Sequence, residues 1–211
     1  MTKSTRHLMV LFAAALMIST SAQAATLAVL GGANWYHGSD QNIPAGGVNN
    51  GTGSQAGYEF GLGLNFHLIP MLVTFEVDGL YDHNSQAFGS GSLKSNNIQV
   101  PALFHLWLGR ALSVGAGGFY SFTTGNVTET DANGNQIYQG SPGGLNQASS
   151  NYGALGDVRI RFPMGMGHFF IDGRYLLGLK TLNTSGSDTL QSREAQAMLG
   201  YAFVFGGGGY R

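Results

Sequence analysis

The sequence predicts an all-β protein, an eight-stranded antiparallel up-and-down transmembrane β-barrel, from three observations. Large apolar residues alternate with small or polar ones in segment after segment, as they do on a strand with one apolar face. The connections between these segments are alternately long and short, and aromatic residues gather near both ends of the segments. An outer-membrane barrel combines a lipid-facing apolar band, short turns at one end, long loops at the other, and two aromatic girdles.

The alternation is clearest over residues 57–68 and recurs in seven other segments. In order, the eight predicted strands are 26–36, 57–68, 71–83, 96–107, 111–123, 152–162, 168–180 and 193–205. The connections at 37–56, 84–95, 124–151 and 181–192 are long, whereas those at 69–70, 108–110 and 163–167 are short. Since the number of strands is even, both ends of the barrel domain are expected on the side of the short turns.

In each segment the apolar set is assigned to lipid. For strands one to four this set is Leu27, Val29, Ala33 and Trp35; Tyr58, Phe60, Leu62, Leu64 and Phe66; Val73, Phe75, Val77 and Tyr81; and Ile98, Val100, Phe104 and Leu106. For strands five to eight it is Leu112, Val114, Ala116, Tyr120 and Phe122; Tyr152, Ala154, Val158, Ile160 and Phe162; Phe169, Ile171, Tyr175, Leu177 and Leu179; and Ala197, Leu199, Tyr201, Phe203 and Phe205.

Aromatic residues are predicted to form a girdle at each membrane interface, where amphipathic rings are enriched. The outer girdle comprises Trp35, Tyr58, Tyr81, Tyr120 and Tyr152. The inner girdle comprises Phe66, Phe104, Trp107, Phe162, Phe169 and Phe205.

The N-terminal segment is predicted to be a cleaved signal peptide, residues 1–24, because Lys3 and Arg6 precede a short apolar run that ends at Ala22-Gln23-Ala24. The barrel then comprises residues 25–205, and residues 206–211 form a short glycine-rich tail.

The composition agrees with export to a membrane. There is no cysteine, only 10% of the residues are charged, and 34 are glycine, whereas a soluble surface normally carries far more charge. With 10 basic and 11 acidic residues and no basic patch, the chain is not expected to bind nucleic acid.

Charged residues concentrate on the face assigned to the lumen. The predicted charge network comprises Glu59, Glu76, Asp78, Asp157, Arg159, Arg161, Asp172, Arg174, Lys180 and Glu194. A hairpin around 163–168 pairs Arg159 with Asp172 and Asp157 with Arg174, and Lys180 is expected to meet Glu194. Because an eight-stranded barrel is only wide enough for side chains to fill it, a salt-bridged plug is favoured over a narrow ion path.

Three other patterns are weaker. His83 and Ser85 resemble the His-x-Ser arrangement of outer-membrane lipid A deacylases, but no carboxylate is expected beside the histidine. The segment 131–135 departs from the calcium-loop motif, and His67 with His105 suggest hydrogen-bonded lumen histidines without a complete metal shell. No catalytic, cofactor or metal site is therefore predicted, and the protein is expected not to be an enzyme.

Two stretches resemble the small PorT-like or OmpX-like outer-membrane β-barrel proteins. They are Ile98-Gln99-Val100-Pro101 through Val114-Gly115-Ala116-Gly117, and Tyr152-Gly153 through Gly173-Arg174-Tyr175-Leu176-Leu177-Gly178-Leu179. The resemblance implies an eight-stranded barrel. The end of the last strand, residues 200–205, also resembles the C-terminal signal that barrel-assembly machinery recognises, with Gly200, Phe203 and Phe205 in the characteristic positions.

Together these observations predict a barrel in the outer membrane of a Gram-negative bacterium, in contact with outer-membrane lipid and with the assembly machinery during biogenesis. The leading hypothesis is a closed structural or interaction barrel that displays extracellular loops to an unidentified partner. A narrow pore for small solutes or ions is the first alternative, and a lipid-modifying enzyme is the second.

Overall fold

The computed structural model describes residues 25–40, 52–54, 56–88, 91–131, 133–145, 148–180 and 190–205. The predicted signal peptide, 1–24, and the predicted tail, 206–211, lie outside the described residues.

Ten strands account for most of this part of the chain. They are β1 (Ala25–Asp40), β2 (Thr52–Ser54), β3 (Ala56–Ile69), β4 (Val73–Phe88), β5 (Gly91–Leu108), β6 (Leu112–Thr130), β7 (Gln136–Gly140), β8 (Ser150–Met164), β9 (Gly167–Gly178) and β10 (Leu190–Phe205). A single 3-10 turn, Pro142–Leu145, follows β7 within the described residues. Over the same residues, no helix has the length and apolar character needed to span a bilayer.

The eight long strands close into an antiparallel up-and-down barrel. Each pairs with the next long strand along the chain, in the order β1, β3, β4, β5, β6, β8, β9, β10. The first and last strands then pair along their whole length, from Ala25 with Phe205 to Asp40 with Leu190. Closure leaves no sheet edge in the barrel wall, and the predicted fold class is confirmed.

Tight connections mark one end of the barrel, which we call the short-turn end. They follow β3, β5 and β8, and each contains a residue in the left-handed backbone region: Met71 (φ 61°), Gly109 (φ 84°) and Gly165 (φ 61°). The opposite end, where β1, β4, β6 and β9 finish, is the long-loop end.

Two of the connections predicted to be long contain much more strand than expected. β4 and β5 extend to Phe88 and Gly91, so most of the predicted loop 84–95 is a hairpin. β6 continues to Thr130 and pairs there with β7, inside the predicted loop 124–151. The apolar alternation ends where a strand leaves the membrane, but backbone pairing continues there, with polar cross-strand pairs such as Ser92 and Thr130, whose hydroxyl oxygens lie 2.8 Å apart. Hydrophobic periodicity therefore underestimates these strands.

The two faces of the barrel wall are inverted relative to a soluble protein. Outward side chains such as Phe60, Leu62 and Leu199 are 54%, 54% and 53% exposed, whereas inward Glu76 and Asp172 are fully buried. A soluble sheet buries its apolar face, and only a lipid environment accepts a continuous apolar outer surface around a polar interior. The chain is therefore an integral membrane β-barrel in contact with lipid.

The lumen also contains apolar side chains that the alternation did not reveal. One cluster comprises Ala28, Leu30, Leu80, Phe170, Met198 and Ala202. Another comprises Leu103, Phe119, Leu155 and Leu176. Gly200 makes room for the first cluster, since a Cβ atom there would lie 2.2 Å from Cζ of Phe170. The glycine assigned to an assembly signal thus also has a packing role.

Candidate functional site

The centre of the lumen is organised around two buried arginines on β8 and β9. Arg159 donates through Nη2 to Glu76 and to Asp172, at 2.6 Å in each case, and its Nη1 also contacts Glu76. The Phe170 ring packs on the Arg159 guanidinium, with 4.4 Å between the ring centroid and the guanidinium carbon. Arg159 is therefore held in place by both charge and packing.

Arg174 completes this group of ion pairs, which we call the arginine network. Its Nη1 donates to Asp78 at 2.6 Å, its Nη2 to Glu76 at 2.7 Å, and its Nε to Asp172 at 3.0 Å. All the side chains involved are buried. Several charge-assisted hydrogen bonds thus converge on each guanidinium, the arrangement that a buried arginine needs.

The arginine network crosses the barrel. Glu76 and Asp78 lie on β4, whereas Asp172 and Arg174 lie on β9, which is four strands away in the closed ring of eight. The ion pairs therefore join opposite walls of the barrel. This spanning contact could not be derived from neighbouring strands alone, since it depends on barrel closure.

His105 adds a further member to the centre. Its Nδ1 lies 3.3 Å from Asp157 and its Nε2 lies 3.6 Å from Glu76. Asp157 therefore lies beside His105, and Asp157 is also the residue directly opposite Arg174 in the β8–β9 pair. The second inward histidine of the sequence analysis, His67, is half-buried and lies toward the short-turn end of β3.

The register of the β8–β9 hairpin agrees with the predicted pairing. Arg159 lies opposite Asp172, and Asp157 lies opposite Arg174. Opposite charges face each other at both positions, which favours this register over its neighbours.

Two basic residues of the predicted charge network lie away from the central ion pairs, one toward each end of the barrel. Arg161 lies toward the short-turn end, where its Nε donates to the backbone oxygen of Arg110 at 2.6 Å. Lys180 follows the end of β9 and donates to Ser150 Oγ at 2.9 Å rather than to Glu194. The expected Lys180–Glu194 contact is wrong because Glu194 lies opposite Leu176, four residues before Lys180 along the chain.

Three further carboxylates, which we call the upper acid cluster, lie toward the long-loop end of the lumen. They are Glu59, Asp82 and Glu194, and one oxygen from each lies within 4.8 Å of the other two. Asp82 is six residues beyond Glu76 on β4, about 20 Å along the strand. Asp82 is absent from the predicted charge network, although it lies at alternate positions with Glu76 and Asp78 on β4 and so shares their inward face.

The predicted outer girdle lies on the outward face. Trp35, Tyr58, Tyr120 and Tyr152 are exposed, and Tyr81 packs against Phe60 with 5.2 Å between ring centroids. Of the predicted inner girdle, Phe104 and Phe162 are exposed, Phe169 is half-buried, and Phe66 is buried beside Phe75. The side chain of Phe205 lies outside the described residues.

Trp107 differs from its prediction as a girdle residue. Its indole is 6% exposed, donates through Nε1 to Thr74 Oγ1 at 3.1 Å, and lies 3.6 Å from the Arg161 guanidinium carbon. Trp107 shares the inward parity of His105 on β5, and inside the lumen its ring gains a cation and a hydrogen-bond acceptor that lipid cannot offer.

The two tryptophans of the chain are expected to respond differently to a quencher in the lipid. In bilayers of brominated phospholipid, the Trp35→Phe variant, which retains Trp107, should keep most of its fluorescence. The Trp107→Phe variant, which retains Trp35, should be strongly quenched, because the Trp35 ring is exposed on the outward, lipid-facing side of the barrel wall. Strong quenching of the Trp35→Phe variant would place Trp107 in the girdle after all.

The histidine–serine pattern at residues 83–85 and the segment 131–135 have surroundings that explain them structurally. His83 stacks on Tyr58, with 4.9 Å between ring centroids, and its Nδ1 lies 2.7 Å from Asn96 Oδ1, so both described neighbours are uncharged. Asp131, beyond the barrel wall, accepts hydrogen bonds from Nδ2 and the backbone N–H of Asn135 and from the backbone N–H of Asn133. These donors lower the pKa of Asp131, with the Asn135 side chain contributing most. The carboxylate therefore closes a turn.

No protein-family model matches the chain, and no curated protein matches it. Solved structures with a similar chain path include Ail, the attachment invasion locus protein of Yersinia pestis, with 10% identity over 86% of this chain and 99% of that one and a TM-score of 0.46. Neisserial surface protein A has 15% identity over 82% and 95%, with a TM-score of 0.48. OprG from Pseudomonas aeruginosa has 11% identity over 88% and 98%, with a TM-score of 0.43. By its own closure and apolar outer face, this chain is an integral β-barrel of the outer-membrane type.

Proposed function

We propose that this protein is a closed, non-enzymatic barrel whose role is to hold and display the segments at its long-loop end. The observation that supports this proposal is the arginine network, which joins β4 to the opposite wall at β8 and β9. A pore needs a continuous water path, whereas here buried guanidinium and carboxylate groups meet in the middle of the lumen.

Apolar packing beside the network supports closure further. Phe170 and Leu80 are each 1% exposed and belong to one cluster, and Leu103 and Leu176 belong to the other. Because these buried apolar side chains line part of the lumen, ions would meet an apolar barrier as well as a charged one.

The long-loop end provides the surface to display. β4, β5 and β6 continue beyond the apolar band, and β2 and β7 add short strands to this extension through pairing with β4 and β6. Its residues include exposed Ile137 and Gln139, which can contact a partner. A rigid barrel below would fix the position of this extension.

The proposed cellular setting is based on the predicted signal peptide, residues 1–24. Cleavage after Ala24 would release the barrel into the periplasm of a Gram-negative bacterium, and its last strand, with Gly200 and Phe203, would direct it to the assembly machinery. The short-turn end would then face the periplasm, and the long-loop end the exterior.

The lipid-modifying alternative has less support. A histidine that activates a hydroxyl needs an acid to orient it, and His83 instead lies beside the Asn96 amide. Mass spectrometry of lipid A from expressing cells should therefore give the same species as from cells without the protein.

The purified, refolded barrel is expected to show no stable open-channel steps in planar bilayers. The reason is that the cross-lumen ion pairs and the apolar clusters occupy the conduction path. A general porin inserted from the same detergent serves as the control for successful reconstitution. Reproducible unitary conductance from this chain, with a matching solute flux in liposome swelling, would replace the closed barrel with the pore alternative.

A further inference from the structure

The upper acid cluster lacks the compensation that the arginine network provides lower in the lumen. Glu59 and Asp82 lie directly opposite each other on β3 and β4, and Glu194 lies on β10, with β1 between β3 and β10. Like charges in directly opposed positions destabilise a sheet unless something else offsets them. The ion pairs of Arg159, Arg174 and His105 are made with Glu76, Asp78, Asp157 and Asp172, and none of them reaches the upper acid cluster.

Amide groups satisfy two of the three carboxylates in part. Asp82 accepts hydrogen bonds from Asn34, from Asn84 at 2.7 Å and from Asn97 at 3.5 Å. Glu194 accepts hydrogen bonds from Gln196 at 2.8 Å and Gln99 at 3.4 Å. These donors fix the orientation of the two carboxylates but supply no positive charge.

Glu59 accepts no hydrogen bond from the described residues. Its side chain is 2% exposed, and neither of its carboxylate oxygens has a hydrogen-bond partner among the described residues. One of these oxygens points at the other two acids, within 4.8 Å of each. Burying a carboxylate without a hydrogen-bond partner costs folding free energy. Besides the close approach of three acids, the unpartnered Glu59 is therefore a second, independent indication that the cluster is incomplete without a ligand.

The surrounding amides also leave oxygen atoms free of hydrogen bonds. The side-chain nitrogens of Asn34, Asn84 and Gln196 donate to the carboxylates. Their side-chain oxygens, Oδ1 or Oε1, are buried and have no hydrogen-bond partner within the described part of the lumen. Neutral amide oxygens beside carboxylates are common ligands of a hard cation.

We propose that Glu59, Asp82 and Glu194 bind one calcium ion that enters from the long-loop end. The donors are all oxygen, which suits calcium rather than a metal that prefers nitrogen or sulfur. Calcium–oxygen distances are about 2.3–2.6 Å, so ligands on opposite sides of the ion are about 5 Å apart, and the spread of these three oxygens fits within that limit.

Bound calcium would join three barrel strands near their long-loop ends. β3 begins at Ala56 and β10 at Leu190, so Glu59 and Glu194 both lie close to the start of their strands, and Asp82 lies in the second half of β4. The ion would replace electrostatic repulsion by attraction at the base of the displayed extension. The folded barrel would then gain stability with the logarithm of the free calcium concentration, once that concentration exceeds the dissociation constant.

The test uses the refolded full barrel in detergent micelles after treatment with a chelator. Calorimetric titration with calcium chloride should give one saturable site per chain, and calcium should raise the thermal unfolding midpoint. Magnesium and zinc are titrated in parallel. No calcium binding, or tighter binding of either other metal, would overturn the proposal, and protonated carboxylates would then account for the cluster.

Substitutions test whether calcium binds at the upper acid cluster. Glu59→Gln should weaken calcium binding about tenfold or more, and in chelator it should melt no lower than the parent, since it removes an uncompensated charge. Asp131→Asn is the matched control, because it removes an acid from the loop that loosely resembles a calcium motif, and it should bind calcium as the parent does. If Glu59→Gln does not refold, Glu194→Gln provides the same comparison. Loss of binding in Asp131→Asn, or full binding in the glutamine variant that folds, would contradict the assignment.

Discussion

Replacing Arg174 with methionine is expected to destabilise the folded barrel by about 3–5 kcal/mol, the range for removing one partner of a buried ion pair. Arg174 donates to Glu76, Asp78 and Asp172, all of them buried, so the substitution leaves three carboxylates facing one remaining guanidinium, that of Arg159. Methionine is unbranched, flexible and uncharged and replaces the aliphatic part of the arginine side chain, so the effect reports the lost charge more than a lost apolar contact.

The measurement is urea unfolding of the barrel refolded in lipid vesicles, followed by the mobility difference between folded and unfolded forms on gels. Arg110→Met is the matched control, because Arg110 is exposed on a short turn and contributes its backbone oxygen to Arg161; its effect should stay within about 0.5 kcal/mol. An Arg174→Met variant as stable as the parent would show that Arg174 is not required to offset the central carboxylates.

Replacing Leu62 with arginine is expected to cost about 2–4 kcal/mol in lipid, the range for a basic side chain near the bilayer midplane of a barrel. Leu62 is 54% exposed on the outward face, midway between Tyr58 and Phe66 on β3. On a soluble protein, the same substitution at so exposed a position would change stability by about 0.5 kcal/mol or less. The size of the effect therefore tests the membrane assignment itself.

Ile137→Arg is the control for this substitution. Ile137 is 60% exposed, comparable with Leu62, but it lies on β7 beyond the barrel wall. Both variants are refolded into the same vesicles and unfolded in urea. The membrane assignment requires a large loss for Leu62→Arg with little change for Ile137→Arg, and equal effects at the two positions would contradict it.

The alternation that predicted the fold also predicted part of the central site. Asp157 and Arg159 on one strand, with Asp172 and Arg174 on the next, suffice to set the hairpin register, because adjacent strands are close in sequence and opposite charges favour one alignment. The same reasoning failed for Lys180, which lies beyond the last β9 residue, and for Trp107, whose inward position was outweighed by a general expectation for aromatics.

The sequence by itself determined the closed antiparallel barrel, the lipid face and the inward position of the charged residues, because strand periodicity and connection length are local properties of the chain. Only the tertiary structure decided which charges meet. Arg174 reaches Asp78 across the lumen, and Glu59, Asp82 and Glu194 come together without an ion pair to a basic side chain in the described part of the chain. Barrel closure thus brings residues up to 135 positions apart into one small interior. Distances across the lumen depend on barrel closure and on the stagger between neighbouring strands, and the periodicity of single strands does not encode either.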